Sequence, residues 1–431
     1  MSKKLQLICL LGLSFLIPLL IWHLLPLVPM SGSPEELFTG GKSYHTTLLP
    51  FDRHVLGESP VGLPIISHVQ VVDFDGDGKN DIIACDVTKS CVTKISQSNS
   101  GEFIEQILID NISAPAHATI IDLNQDGRND VIVSVLGNIL PDDNVIGRVE
   151  YYEQTDTGYK KRVLLDDVRR VADVQAADFD SDGDLDLVVA VFGYARGEIL
   201  WLENMGDEVF LDHQLHSAPG TIHVPVADYD NDGDLDIAAI VSQDEEELWT
   251  FENTGDGNFR SHRIWRTVNL DLGSAGLVQS DLDNDGDMDL ILPVGDNLED
   301  TEAYPQPYHG CLWLENQGNW KFQMHRISDL GGTYAASVAD LDDDGDKDVV
   351  LVSMTNDWYA AEHASLIWLE NDGLQNFTSW QIDSEPIHLV TVATGDINGD
   401  GIKDIVTGSL NLRKPFERIG RITAWTGTGN H

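Results

Sequence analysis

Nine residues, Asp178-Phe179-Asp180-Ser181-Asp182-Gly183-Asp184-Leu185-Asp186, carry the most specific chemistry in the chain. Carboxylates at positions 1, 3, 5 and 9, with glycine at position 6 to permit a sharp turn, can wrap oxygen donors around one hard cation. That chemistry suits Ca²⁺, which takes roughly six to eight oxygens in loose geometry, whereas Mg²⁺ holds to a stricter octahedron and keeps its waters. Without a cation so many carboxylates repel one another, so the loop reads as a site and not as a solvated acidic face. An apolar run, Leu187-Val-Val-Ala-Val191, follows at once. The ninth residue therefore opens a strand, whereas an EF-hand loop continues to a Glu at position 12 and an exiting helix.

The pattern occurs seven times in all. Its side-chain donors are Asp73, Asp75, Asp77 and Asp81; Asp122, Asn124, Asp126 and Asp130; Asp178, Asp180, Asp182 and Asp186; Asp228, Asp230, Asp232 and Asp236; Asp281, Asp283, Asp285 and Asp289; Asp340, Asp342, Asp344 and Asp348; and Asp396, Asn398, Asp400 and Asp404. Successive loops start 49 to 59 residues apart, which suits one four-stranded propeller blade per repeat. A parallel β-helix repeats about every nine residues and is Gly-rich, so this period excludes it. Dockerin-like loops enter helices, which these β-branched runs do not resemble.

Each repeat has the same order: an apolar lead-in, the acidic loop, a β-branched strand, a variable connection and a third strand. The third strand carries Trp201-Leu-Glu-Asn204, repeated at Trp313-Leu-Glu-Asn316 and Trp368-Leu-Glu-Asn371, and loosely at Trp249-Thr-Phe-Glu-Asn253. A fourth strand places an aromatic residue five positions before an aliphatic one: Phe103/Leu108, Tyr159/Leu164, Phe210/Leu215, Phe259/Ile264, Phe322/Ile327 and Phe377/Ile382. No such pair follows the seventh loop, but Tyr44 and Leu49 show the spacing ahead of the first. The expectation is a ring closed by its own termini, with residues 44–49 completing the blade built from about 389–427, which removes open sheet edges.

The formal net charge of -46 is extreme for a folded chain, and much of the acidity sits in these loops. The remainder argues against nucleic acid as a partner, which would need a basic surface. Lys3 and Lys4 precede a nearly unbroken apolar run over residues 5–28, so residues 1–30 read as an N-terminal membrane anchor or signal segment. Residues 31–43 read as a linker, and residues 44–431 as the propeller, placed outside the cytoplasm as a monomer. That compartment permits disulfides. Cys85 and Cys91 flank a five-residue turn and either bridge it or remain two thiols, while Cys311 has no evident mate.

The loops and the strands that follow them resemble the FG-GAP/VCBS-type repeats of the integrin α-subunit head and of many secreted bacterial proteins, over about residues 44–427. The resemblance implies an all-β, seven-bladed β-propeller with four-stranded blades. It also implies up to seven structural Ca²⁺ ions, each held by positions 1, 3, 5 and 9 with the position 7 carbonyl. Asn124 and Asn398 lower the charge of the second and seventh sites. As a guide to function the family is broad, since its propellers serve adhesion, glycan binding and, in some relatives, polysaccharide cleavage.

Chemistry beyond the metal loops is expected on the opposite face, where the variable connections carry Tyr194, Arg196, Tyr304, Tyr308, His309, Trp358, Tyr359 and His363, with Arg413 and Arg418. Aromatic and Arg groups among Asp and Asn suit a saccharide site. Five residues before each loop stand His68, His117, Asp173, His223, Gly276, Ala335 and Thr391, a row that should ring the channel mouth and either bind a metal, supply an acid/base pair or serve as structural polar groups. Three functions follow: a recognition or adhesion module for glycan or protein; a polysaccharide lyase or other carbohydrate-active enzyme; or a cell-surface assembly scaffold. No Ser-His-Asp spacing, phosphate-cradling Gly loop or zinc-type Cys pairs appear.

Overall fold

The computed structural model describes residues 44–429, apart from 60, 61, 141, 142, 207, 208, 244, 256, 270, 299–303 and 411–413. The N-terminal segment and linker expected at 1–43 lie outside the described residues, as does Arg413. The described residues fall in one compact unit, 40–431, and no helix among them is long and apolar enough to cross a membrane.

Among the described residues the strands form seven blades in a ring, each of four antiparallel strands, in chain order in the first six. Blades 1 to 6 span 66–109, 115–168, 170–216, 226–267, 278–328 and 333–383. Blade 7 takes its first three strands from Leu389–Gly395, Asp404–Ser409 and Ile422–Gly427. Its outer strand is Phe51–Leu56, which pairs antiparallel with Ile422–Gly427 and sets Leu56 opposite Ile422.

The ring is thus closed by the N-terminal segment, but by residues 51–56 and not by 44–49. Phe51 and Leu56 have the same five-residue spacing as Tyr44 and Leu49, and the two pairs lie within one strand length of each other. Packing separates them: Leu56 is buried between blades 7 and 1, whereas His45–Thr46 runs parallel to the outer strand of blade 6, His45 opposite Trp380. Tyr44 packs between blades 5 and 6.

The second strand of every blade is buried along its length, Phe192 at the end of the blade 3 strand excepted, which explains why it is built mainly of Val, Ile, Leu and Ala after its opening Asp. The core divides into seven apolar clusters, one between each pair of neighbouring blades, including the pair that joins blade 7 to blade 1. An eighth cluster, Met354, Val390 and Leu410, draws in Ile139 from blade 2 and Leu298 from blade 5. Those two residues stand in connections between second and third strands, so these loops reach over the channel mouth on the variable face.

Cys85, Cys91 and Cys311 are free, buried thiols. Cys85 pairs with Val92, so Cys91, one residue along, points to the opposite face of the sheet. Strand alternation therefore forbids the bridge across this turn.

Candidate functional site

Each acidic loop links the first strand of a blade to the second. Position 6 is a glycine with positive φ in all seven, from 84° at Gly78 to 100° at Gly233. Position 4 is left-handed too, in Gly76, Gln125, Ser181, Asn231, Asn284, Asp343 and Gly399, mostly small or short polar residues that tolerate it. Two left-handed residues per loop curl the backbone so that its N–H groups face inward.

The carboxylates collect those N–H groups. In blade 4, Asp228 accepts from the amides of Asp232 and Gly233 at 3.1 and 3.0 Å, and Asp232 accepts from Asp234 at 3.0 Å. Position 9 is fully buried in most blades and works as a tether. Asp236 accepts from Tyr229 N–H at 2.9 Å within its own loop and from Asn253 N–H at 2.7 Å on the third strand. The same pair of bonds recurs at Asp186, Asp289, Asp348 and Asp404.

This geometry accounts for the Trp-Leu-Glu-Asn signature. The Asn backbone caps position 9 and its side chain donates back to the loop, as Asn204 Nδ2 does to Leu185 O and Asn371 Nδ2 to Lys347 O at 3.1 Å; in blades 4 and 5 it also reaches the previous blade, Asn253 Nδ2 donating to Phe179 O at 2.7 Å and Asn316 Nδ2 to Tyr229 O at 2.8 Å. The Glu pairs with an outer-strand His, as in Glu203 with His213 at 2.6 Å and Glu315 with His325 at 2.7 Å, and the Trp stacks on that same ring.

Among the described residues, five loops bring three carboxylate oxygens within 4.8 Å of one another, in blades 1, 3, 4, 5 and 6. The other two loops are those with Asn124 and Asn398 at position 3. Asp178 Oδ1, Asp230 Oδ1 and Asp342 Oδ1 are buried without a hydrogen-bond donor. Orphaned carboxylate oxygens are costly inside a protein, and a cation is the group that resolves them. The donor set, all oxygen and loosely arranged, fits Ca²⁺. Burial first, then neighbouring carboxylates, raises Asp180, Asp230, Asp283 and Asp342. Burial also pushes the position 9 groups up, to about 6 in Asp186 and Asp404 and about 7 in Asp236, Asp289 and Asp348.

Two loops carry a cation of their own. Lys94 Nζ sits 2.8 Å from Asp75 and 3.2 Å from Asp81, and its burial, which opposes charge, is outweighed by these bonds so that its pKa is raised. Arg128, at position 7 of the second loop, bonds Asp126 at 2.6 Å and Asp156 at 2.9 Å.

On the variable face the structure separates the sequence candidates. Tyr359 is 94% exposed, and Tyr194, Arg196 and Tyr304 are also exposed. Tyr308 is half-buried against the core between blades 4 and 5. His309 is buried, its Nδ1 accepting from Gly332 and Gln306 N–H at 3.0 and 3.2 Å, and burial lowers its pKa to about 3. Trp358 is buried edge-on to His388, and His363 bonds Asp357 O at 2.9 Å. Arg418 is spent on structure, donating to Glu385 at 2.7 Å and to Trp358 O at 2.8 Å.

The row at the channel mouth is brought together on one side. His68 and His117 rings lie 3.9 Å apart, His117 Nδ1 is 3.3 Å from Asp173 Oδ1, and His223 Nδ1 is 3.6 Å from Asp173 Oδ2. Asp173 also accepts from Val224 N–H and Gln175 Nε2, at 3.1 and 2.9 Å, which makes it a hub joining blades 2, 3 and 4. Burial lowers His68 and His117, and although burial alone would raise Asp173, the charge interaction with His117 and the bonds from His223 and Val224 N–H bring it below the ordinary carboxylate range.

A ring of seven four-stranded blades, with acidic loops on one face and long connections on the other, defines a seven-bladed β-propeller. The chain carries FG-GAP-like repeats: that family's model matches residues 73–133, 178–239 and 228–292. Among solved structures, a chain in "Crystal structure of BBS1N in complex with ARL6DN, soaked with lead" is similar in fold, with a TM-score of 0.50 and 11% identity over 89% of this chain and 98% of that one. No curated protein is similar to the chain by sequence.

Proposed function

We propose that the chain is a calcium-binding propeller that acts outside the cytoplasm as a recognition or adhesion module for a glycan or protein ligand. The observation that carries this reading is the division of labour between faces. The acidic loops are tied into the blade framework by backbone N–H bonds and stitched to their neighbours, which suits fastening. The opposite face holds the long connections and the exposed rings Tyr194, Tyr304 and Tyr359.

The enzyme reading loses one of its candidates to structure, since His309 is enclosed. An array of glycans and a reducing-end and unsaturated-product assay on the whole protein, in Ca²⁺ and in EDTA, test the proposal. Binding without turnover, weakened about tenfold or more in Tyr359→Ala, is the expected result. Turnover of a polysaccharide would replace this reading with the lyase, and neither binding nor turnover would favour the scaffold.

A further inference from the structure

The acidic loop of blade 1 differs from the others in what stands over it. Strand register pairs Ile83 with Lys94 where blade 3 pairs Val188 with Trp201 and blade 5 pairs Ile291 with Trp313. A lysine therefore occupies the place that tryptophan takes in blades 3, 5 and 6, and its side chain, 11% exposed, lies over the loop. Nζ bonds position 3 and position 9 together, Asp75 Oδ2 at 2.8 Å and Asp81 Oδ2 at 3.2 Å, and Ser96 Oγ donates to the remaining oxygen of Asp81 at 2.5 Å. These are two of the carboxylates a bound ion would bridge.

We infer that Lys94 is a resident cation that takes the place of the metal in the first loop, so that tight calcium binding is confined to blades 3 to 6. The inference deepens the calcium reading above and rests on it. Three observations converge. The loops of blades 3, 4 and 6 each hold a buried carboxylate oxygen with no donor; the described loop residues of blades 1 and 5 show none, and of those two only blade 1 has a lysine where the other has a tryptophan. An ammonium and a divalent ion within bonding distance of the same carboxylates exclude each other by like charge. The loops that flank the first are also weakened, by Asn124 with the Arg128–Asp126 pair in blade 2 and by Asn398 in blade 7, where the amide donates to Asp400 Oδ2 at 3.1 Å.

The seam where the ring closes is fastened in the same way. Arg421 of blade 7 donates to Asp86 at 2.8 Å and to both oxygens of Glu105 at 3.0 and 2.5 Å, in blade 1, with its side chain 1% exposed. The chain's own cations thus serve the closing sector, while the opposite sector is left to metal. Closure of the ring then holds in the absence of calcium.

Native mass spectrometry of the whole protein across a Ca²⁺ titration reads the inference directly. The wild type should take up four ions at low free Ca²⁺ and two weaker ones at high, never a seventh. Lys94→Met, which removes the ammonium and keeps an apolar stem of similar length, should add one ion. Asp75→Asn should leave the wild-type count unchanged, whereas Asp230→Asn should remove one tight ion. A seventh wild-type ion lost in Asp75→Asn, or a Lys94→Met protein that melts normally yet gains no ion, would overturn the inference while leaving the calcium reading standing. A wild type that binds no calcium at any concentration would overturn both.

Discussion

Leu56 gives the sharpest test of how the ring is closed. Its side chain is 2% exposed in the cluster between blades 7 and 1, packed with Ile66, Ile82 and Ile422, although it belongs to a strand that arrives from the far end of the chain. Truncating a leucine so enclosed removes its transfer free energy and leaves a cavity, together about 3–5 kcal/mol. Leu48, only eight residues earlier, is 90% exposed, and Leu48→Ala should change stability by no more than about 0.5 kcal/mol. Urea unfolding followed by tryptophan fluorescence measures both variants against the wild type. If 51–56 is the closing strand, Leu56→Ala shifts the midpoint strongly and Leu48→Ala does not. Equal shifts, or a larger effect in Leu48→Ala, would refute the assignment of this strand.

Two further outcomes follow from the charged groups. Arg421→Met leaves Asp86 and Glu105 without their buried partner and should cost about 3–5 kcal/mol, measured by the same unfolding assay, with the loss independent of Ca²⁺. The position 9 carboxylates respond to pH with opposite sign in the two metal states. Their folded pKa values, about 6 to 7, lie above the unfolded value, so the metal-free protein loses stability as pH rises through that window. Calcium needs them ionised, so its affinity falls as pH drops through the same window. The difference in melting temperature between Ca²⁺ and EDTA should therefore be wide at pH 8 and narrow at pH 5, as scanning calorimetry would report.

The blades were legible because their signals are local. An Asp at every second position, a glycine at the sixth and a β-branched run at the ninth fall within about fifteen residues, so one loop implies its strands. The closing strand was not legible in the same way. Tyr44/Leu49 and Phe51/Leu56 satisfy one spacing rule equally, and only burial against Ile422 decides between them. Cys85 and Cys91 are near in sequence, but alternation along paired strands turns them apart. Lys94 could not be read as a loop residue because its carboxylates stand 13 and 19 residues away and meet it only through strand register. The channel-mouth row was visible as a period, whereas the hub role of Asp173 depends on Val224 N–H from the next blade. On the variable face, residue type marked His309 and Trp358 as strongly as Tyr359, and burial alone separates them.

The account rests on cations held in the loops of blades 3 to 6, and thermal unfolding in Ca²⁺ against EDTA tests that most directly. At a free Ca²⁺ of one hundred times the dissociation constant, each occupied loop contributes about 2.7 kcal/mol. Four such loops, set against an unfolding entropy of about 2.1 cal/mol/K per residue, amount to a fall of roughly 10 °C or more on chelation. That fall should shrink by about a quarter in Asp230→Asn, which removes one loop. A melting temperature that is the same in Ca²⁺ and in EDTA would contradict the account.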